Sequence, residues 1–165
     1  MAKLFRLGLH EVASQIRSGR LKPSDYVASL LERVNALEGS IQSWQWLDRD
    51  RALDIAKVAD RAAAPWRAAH PLHGIPIGVK DNIFTAGIPT EMGACLYQGF
   101  IPEVSAEIVL RLERAGAFVF GKVLPTQILG FALAAVVALD ALLIRVALGP
   151  AMMRIAGRYN WWPGS

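Results

Sequence analysis

Pro71-Leu-His-Gly-Ile-Pro-Ile-Gly-Val-Lys-Asp-Asn-Ile83 runs from a proline-marked turn through a short apolar strand, Ile75 to Val79, into Lys80 and a loop. A run so short and so apolar, bounded by Gly74 and by charge, reads as a strand buried on both faces. Strand ends are rigid, so a side chain projecting there is held in fixed geometry and partly stripped of water. Desolvation lowers a lysine's pKa, because the charged form loses hydration. A neutral lysine amine is then a competent general base towards a serine hydroxyl. Gly74 and Gly78 permit close backbone approach, and Pro76 stiffens the strand entrance. By spacing alone, a lysine after a strand is an ordinary solvated group. The same reading applies to Lys122, which follows a second strand.

Downstream, a loop punctuated by glycine and proline extends from Asp81 to about Glu103. The spacing then predicts a helix over Ser105 to Ala115, with Ile108, Val109, Leu112 and Ala115 inward, Ser105 as its N-cap and Gly116 at its end. Ala117 to Phe120 reads as the second buried strand, stopped by Gly121 and Lys122. Two buried strands bridged by a helix form a βαβ-like unit, which argues for an α/β sheet covered on both faces.

Upstream, Leu9 to Ser18 reads as a short helix ended by Gly19. A second helix begins near Pro23, which suits a first-turn position. Tyr26, Val27, Leu30, Leu31, Val34 and Leu37 fall on one of its faces, and Gly39 is expected to close it. Ile41 to Leu47 reads as a strand with Trp44 and Trp46 on one face. Asp48 is the expected N-cap of a third helix with Ala52, Ile55, Ala56 and Ala59 as its buried stripe. Ala64 to His73 reads as a loop. The expected fold class is therefore α/β, a small mixed sheet flanked by helices. A sheet of two or three strands leaves much apolar surface uncovered, so this part reads as a piece of a larger domain.

The chain has 165 residues, room for one domain. It is 53% hydrophobic with a mean hydropathy of +0.31, and the excess is local. From Ile128 to Ser165 the only charged side chains are Asp140, Arg145, Arg154 and Arg158. The net charge of +4 and pI near 9.6 come from lysines and arginines scattered among comparable numbers of acids. No basic run alternates with aromatics, so nucleic acid is not an expected partner. Cys95 is the only cysteine, which excludes an internal disulfide and reads as a loop or buried thiol. Together with His10, His70 and His73 it does not fall at metal-ligand spacing, and no metal or cofactor is expected. The N-terminus lacks the apolar core of a secretory signal.

Around Lys80, Gly74-Ile-Pro-Ile-Gly-Val-Lys80-Asp-Asn-Ile resembles the lysine motif of the amidase signature family. Ile16-Arg-Ser-Gly-Arg-Leu and the helix reaching Asn35-Ala-Leu resemble that family's N-terminal helices. Arg51 to Asp60 resembles the helix before the motif, and Ser105 to Lys122 the helix–strand unit after it, with its Gly-Lys ending. The resemblance covers residues 1–127 and implies a truncated amidase-type fragment. It implies a hydrolase that converts a small-molecule carboxamide to a carboxylate plus ammonia or an amine. In such a hydrolase one serine attacks the carbonyl, and a second, in a cis peptide, relays its proton to the lysine. Lys80 is the one catalytic residue that carries over. The serines belong in a Gly-Gly-Ser-Ser-Gly-like stretch downstream, whereas after Lys80 this chain has only Ser105 and Ser165. The expectation is a chain inactive by itself, because removing members of a catalytic unit removes nearly all of its rate advantage.

Residues 128–165 read differently. The apolar run from Ile128 to Met153 is long enough to cross a hydrocarbon core of ~30 Å as a helix. Asp140 and Arg145 near its middle would each cost about 3 kcal/mol there. Pro150 kinks or ends the helix, and Arg154, Arg158, Tyr159, Trp161 and Trp162 resemble an interfacial basic and aromatic belt. Leu139 to Pro163, with its Asp-Ala-Leu-Leu-Ile-Arg and Asn-Trp-Trp-Pro elements, resembles the last membrane helix of MMPL-type transporters of the RND superfamily. Two uses of this hydrophobic helix stand open: membrane contact through 128–162, or burial in an oligomer interface. The expected location is cytoplasmic with membrane association. The alternative function is a membrane-associated, non-catalytic fusion or interaction protein.

Overall fold

The computed structural model describes residues 4–124, which lie in one compact unit. The long hydrophobic helix expected from residue 128, its likeness to a transporter helix, and the membrane and oligomer contacts assigned to it lie outside the described residues. Among the described residues, no helix is long and apolar enough to cross a membrane.

A 3-10 turn, Leu4–Arg6, leads into helix α1, Leu9–Arg17, and then α2, Pro23–Ile41. Strand β1 is Trp44–Trp46, followed by α3, Arg49–Asp60, and a short α4, Ala64–Ala69. Strand β2 spans Pro76–Lys80. A long connection with one 3-10 turn, Cys95–Tyr97, reaches α5, Glu107–Arg114, and β3, Phe118–Val123.

The three strands form one mixed sheet in the order β1-β3-β2. β2 runs parallel to β3 and β1 antiparallel to it, so β3, the last strand among the described residues, is the central one. The βαβ unit expected from the sequence is present as β2–α5–β3, with helices on both faces. Val27 and Leu31 of α2, Ala52 and Ala56 of α3, and Phe118 and Phe120 of β3 make the core on one face. Val79, Ile88, Val109 and Val119 make it on the other. A third cluster, Val12, Ile16, Leu21 and Ile75, seats α1 near the start of β2.

Several local expectations are corrected. Gly39 does not close α2, which continues to Ile41 and ends at Gln42 in the left-handed region, φ 50°. The strand expected from Ile41 is therefore shortened to three residues. Trp44 and Trp46 lie on opposite faces, Trp44 against the α2–α3 core and Trp46 against the α5 core. The register with β3 shifts between them, which breaks the two-residue alternation. Residues 64–69 are helical, because Pro65 occupies a first-turn position instead of breaking the chain. Asp48 caps α3 as expected, its side chain accepting from the Arg51 N–H at 2.9 Å. Ile108 is 55% exposed, not inward, because α5 presents Val109 to the sheet and turns Ile108 away from it. Gly121 and Lys122 do not stop β3 but belong to it.

Candidate functional site

Lys80 is the last residue of β2, immediately before Asp81, and pairs in register with Val123 of β3. It thus sits at the carboxyl end of a parallel strand, the edge where open α/β sheets place their ligand crevices. The Asp81 N–H donates to the Val123 carbonyl at 3.0 Å, and the Ile83 N–H to the Lys80 carbonyl at 2.9 Å. The backbone is thereby fixed as a turn directly after the strand. The Lys80 side chain, however, is exposed, and the expectation that it is partly stripped of water is not met within residues 4–124. Among the described residues β2 is an edge strand, flanked by β3 alone.

The desolvated lysine is Lys122, for which the sequence predicts an ordinary solvated group. Its placement follows from a bulge. Opposite the step from Ile77 to Gly78, the partner on β3 moves from Val119 to Gly121, so Phe120 is an extra residue. Before the bulge, Phe118 and Phe120 face α2 and α3 while Val119 faces α5. The extra residue shifts this alternation by one. Gly121 stays beneath Trp44, where a Cβ would meet the ring at 2.8 Å and the Trp46 carbonyl at 2.7 Å. Lys122 consequently turns to the Val119 side and enters the loop that follows β2.

In that loop the Lys122 amine is fully buried. It donates to the Ile83 carbonyl and to the hydroxyls of Thr85 at 3.1 Å and Thr90 at 3.0 Å. Thr85 and Thr90 are themselves buried. Burial pushes the amine's pKa down from 10.5, and the nearby Asp81 carboxylate opposes that shift. Asp81 is also fully buried, and its two oxygens accept from the Glu91 N–H at 3.3 and 3.2 Å. Lys80, Asp81 and Lys122 therefore share one strand end, with one amine facing out and the other locked in.

Ser105 does not cap α5. The N-cap position is Ala106, and the Ser105 hydroxyl instead accepts from the Ala86 N–H at 2.9 Å, tying the loop to the helix start. Ser165 lies outside the described residues. Cys95 is exposed in the 3-10 turn. His73 is buried and donates from Nε2 to the Ala59 carbonyl at 3.0 Å, while His70 stacks on Trp66 at 3.8 Å. Among the described residues, no group of three or more His, Cys, Asp or Glu is placed to hold a metal ion. Lys122 has no role in a linear reading because its burial depends on a bulge in β3, whose one local sign is Gly121 in an otherwise apolar run.

Residues 25–135 match the family model named Amidase. Among curated proteins, the chain is 36% identical over 120 residues to one of the subunits of the glutamyl-tRNA(Gln) amidotransferase of Anaeromyxobacter sp. (strain K). That alignment covers 73% of this chain and 24% of the relative. It is likewise 36% identical over 124 residues to the putative amidase AmiD of Mycobacterium bovis, covering 75% of this chain and 26% of that protein. Among solved structures it resembles the peptide amidase of Stenotrophomonas maltophilia with a TM-score of 0.63 and 34% identity, covering 72% of this chain and 24% of that one. The chain thus spans about a quarter of the length of the curated relatives it matches.

Proposed function

The chain belongs to the amidase family, and on that premise we propose that it is an amide hydrolase by descent in which Lys80 holds the proton-accepting position. These 165 residues by themselves do not hydrolyse amides. The observation that carries the Lys80 assignment is its place: the carboxyl end of parallel strand β2, with its backbone fixed by the Asp81 and Ile83 hydrogen bonds. A lysine becomes a base when its surroundings remove water from it. Residues 4–124 do not do this for Lys80, and no Gly-Gly-Ser-Ser-Gly-like stretch follows it in the sequence. On this reading the nucleophile is supplied from outside these residues, and the cover over the base from outside residues 4–124. The substrate class is a small-molecule carboxamide, cleaved to a carboxylate and ammonia or an amine.

The test has two arms. Purified chain incubated with simple carboxamides is expected to release no ammonia above buffer. Release that disappears in Lys80→Ala would overturn the inactivity. In the second arm, residues 1–124 replace the matching part of the M. bovis AmiD relative. That chimera is expected to hydrolyse the amides its parent does and to lose activity on the order of a hundredfold or more in Lys80→Ala. Unchanged activity in that variant would remove Lys80 from the mechanism.

The second reading, a membrane-associated non-catalytic protein, is favoured by the apolar run from Ile128 to Met153. Recovery of the full chain in a salt-washed supernatant after membrane sedimentation would exclude it.

A further inference from the structure

Two hydrogen bonds join the buried amine of Lys122 to the backbone of Lys80. Lys122 Nζ donates to the Ile83 carbonyl, and the Ile83 N–H donates to the Lys80 carbonyl. The Thr85 and Thr90 hydroxyls fix the same loop further on, and the Ile88 N–H closes a turn onto the Thr85 carbonyl at 3.1 Å. The buried Asp81 carboxylate holds the Glu91 N–H at the far end. Residues 81–91 are therefore stitched at both ends and in the middle, and the middle stitch is one side chain from the central strand.

An apolar side chain of similar length would fill this space without the desolvation cost of an amine. What the amine adds is direction, because each of its bonds names one acceptor. We propose that Lys122 is a positioning residue: it holds the 80–83 turn against β3 and so fixes the strand end that presents Lys80. This proposal rests on reading Lys80 as the base. Lys122 itself takes no part in proton transfer.

The charge state supplies a readout that simple packing would not. The charged group facing Lys122 is Asp81; the other partners, the Ile83 carbonyl and the two threonine hydroxyls, are uncharged, and Glu107 and Arg111 on α5 pair with each other at the surface. A neutral amine still satisfies all three partners, donating to two and accepting from one threonine hydroxyl. Opening the loop returns the amine to water and to its ordinary value of 10.5, above its value when closed. The open form therefore binds more protons, and the loop closes more firmly as pH rises from the lowered value towards 10.5.

Amide hydrogen exchange of the full chain, corrected for intrinsic rates, tests this at Asp81, Ile83 and Ile88. Protection there is expected to rise with pH across the alkaline range. Lys122→Met is expected to speed exchange at these amides by roughly tenfold or more and to abolish the pH dependence there, with α2 and α3 changed far less. Lys80→Gln is expected to leave both intact. Should Lys122→Met not fold, Thr85→Val and Thr90→Val each remove one partner and are expected to speed exchange at Ile83 several-fold. Unchanged protection at Asp81 and Ile83, or loss spread equally over α2 and α3, would overturn the proposal. No substrate enters this measurement, so an inactive chimera would count against the base assignment alone and leave the exchange result standing.

Discussion

Lys80 and Lys122 end up on adjacent strands with opposite fates, and the difference comes from backbone geometry and not from the residues themselves. A lysine at a strand end can lose its water, but in this structure that happens to the one carried inward by a bulge. For Lys122 the linkage has a definite sign. Its folded pKa is lowered, so the unfolded chain binds more protons between that value and 10.5, and stability is expected to rise with pH across this window. Urea titrations at several alkaline pH values should show the midpoint moving up more than in Lys122→Met. Glycine geometry gives a second prediction at this scale. Gly74 has φ +70° and a Cβ there would meet Pro23 Cγ at 2.5 Å, so it satisfies both a backbone and a packing demand. Gly74→Ala is expected to cost on the order of 2 kcal/mol or more, read as a lowered urea midpoint. The sequence motif around Lys80 contains this glycine, and its positive φ and its approach to Pro23 are the parts that a linear reading does not expose.

At the scale of elements, the helices are the more legible half. α1, the start of α2 and the Asp48 cap of α3 follow from periodicity and end signals that act within a few residues. What escapes a linear reading is set by partners distant in sequence. α2 has Lys22 at its N-cap with no side-chain hydrogen bond there, and the role passes to Asp60 at the end of α3. The Asp60 carboxylate accepts from the Ser24 N–H at 3.0 Å and from the Ser24 hydroxyl at 2.6 Å, placing negative charge at a helix N-terminus. Asp60→Ala is expected to destabilise the fold by about 1 to 2 kcal/mol, whereas Asp60→Asn should retain part of that. Thermal melts of the two variants separate the charge from the hydrogen bonds. The sidedness of β1 is hidden for a related reason, since its register shift depends on β3 and cannot be seen in Trp44-Gln-Trp46 alone.

For the molecule as a whole, the amidase lineage is legible because several short motifs recur in the right order. The candidate site is legible only as one position, Lys80, because no Gly-Gly-Ser-Ser-Gly-like stretch follows it in the sequence. Among the described residues the sheet has three strands, and large apolar side chains stand exposed along the connection between β2 and β3: Phe84, Leu96, Tyr97, Phe100, Ile101, Val104 and Ile108. Phe84 and Tyr97 both lie against Phe100, at ring distances of 5.6 and 6.2 Å. A cluster of that kind marks a contact surface. The purified chain is accordingly expected to bind a hydrophobic dye such as ANS under native conditions, and replacing Phe100 and Ile101 with serine should reduce the signal. Dye fluorescence unaffected by those changes would place the binding surface elsewhere.

The order of the strands has a consequence for how the chain is born. Among the described strands the middle one is the last to be synthesised, so β1 and β2 leave the ribosome before the partner they share, Phe118–Val123, has emerged. Nascent chains whose Phe118–Val123 is still inside the ribosome should carry helices without this sheet, and release of that segment should bring both outer strands into place at once.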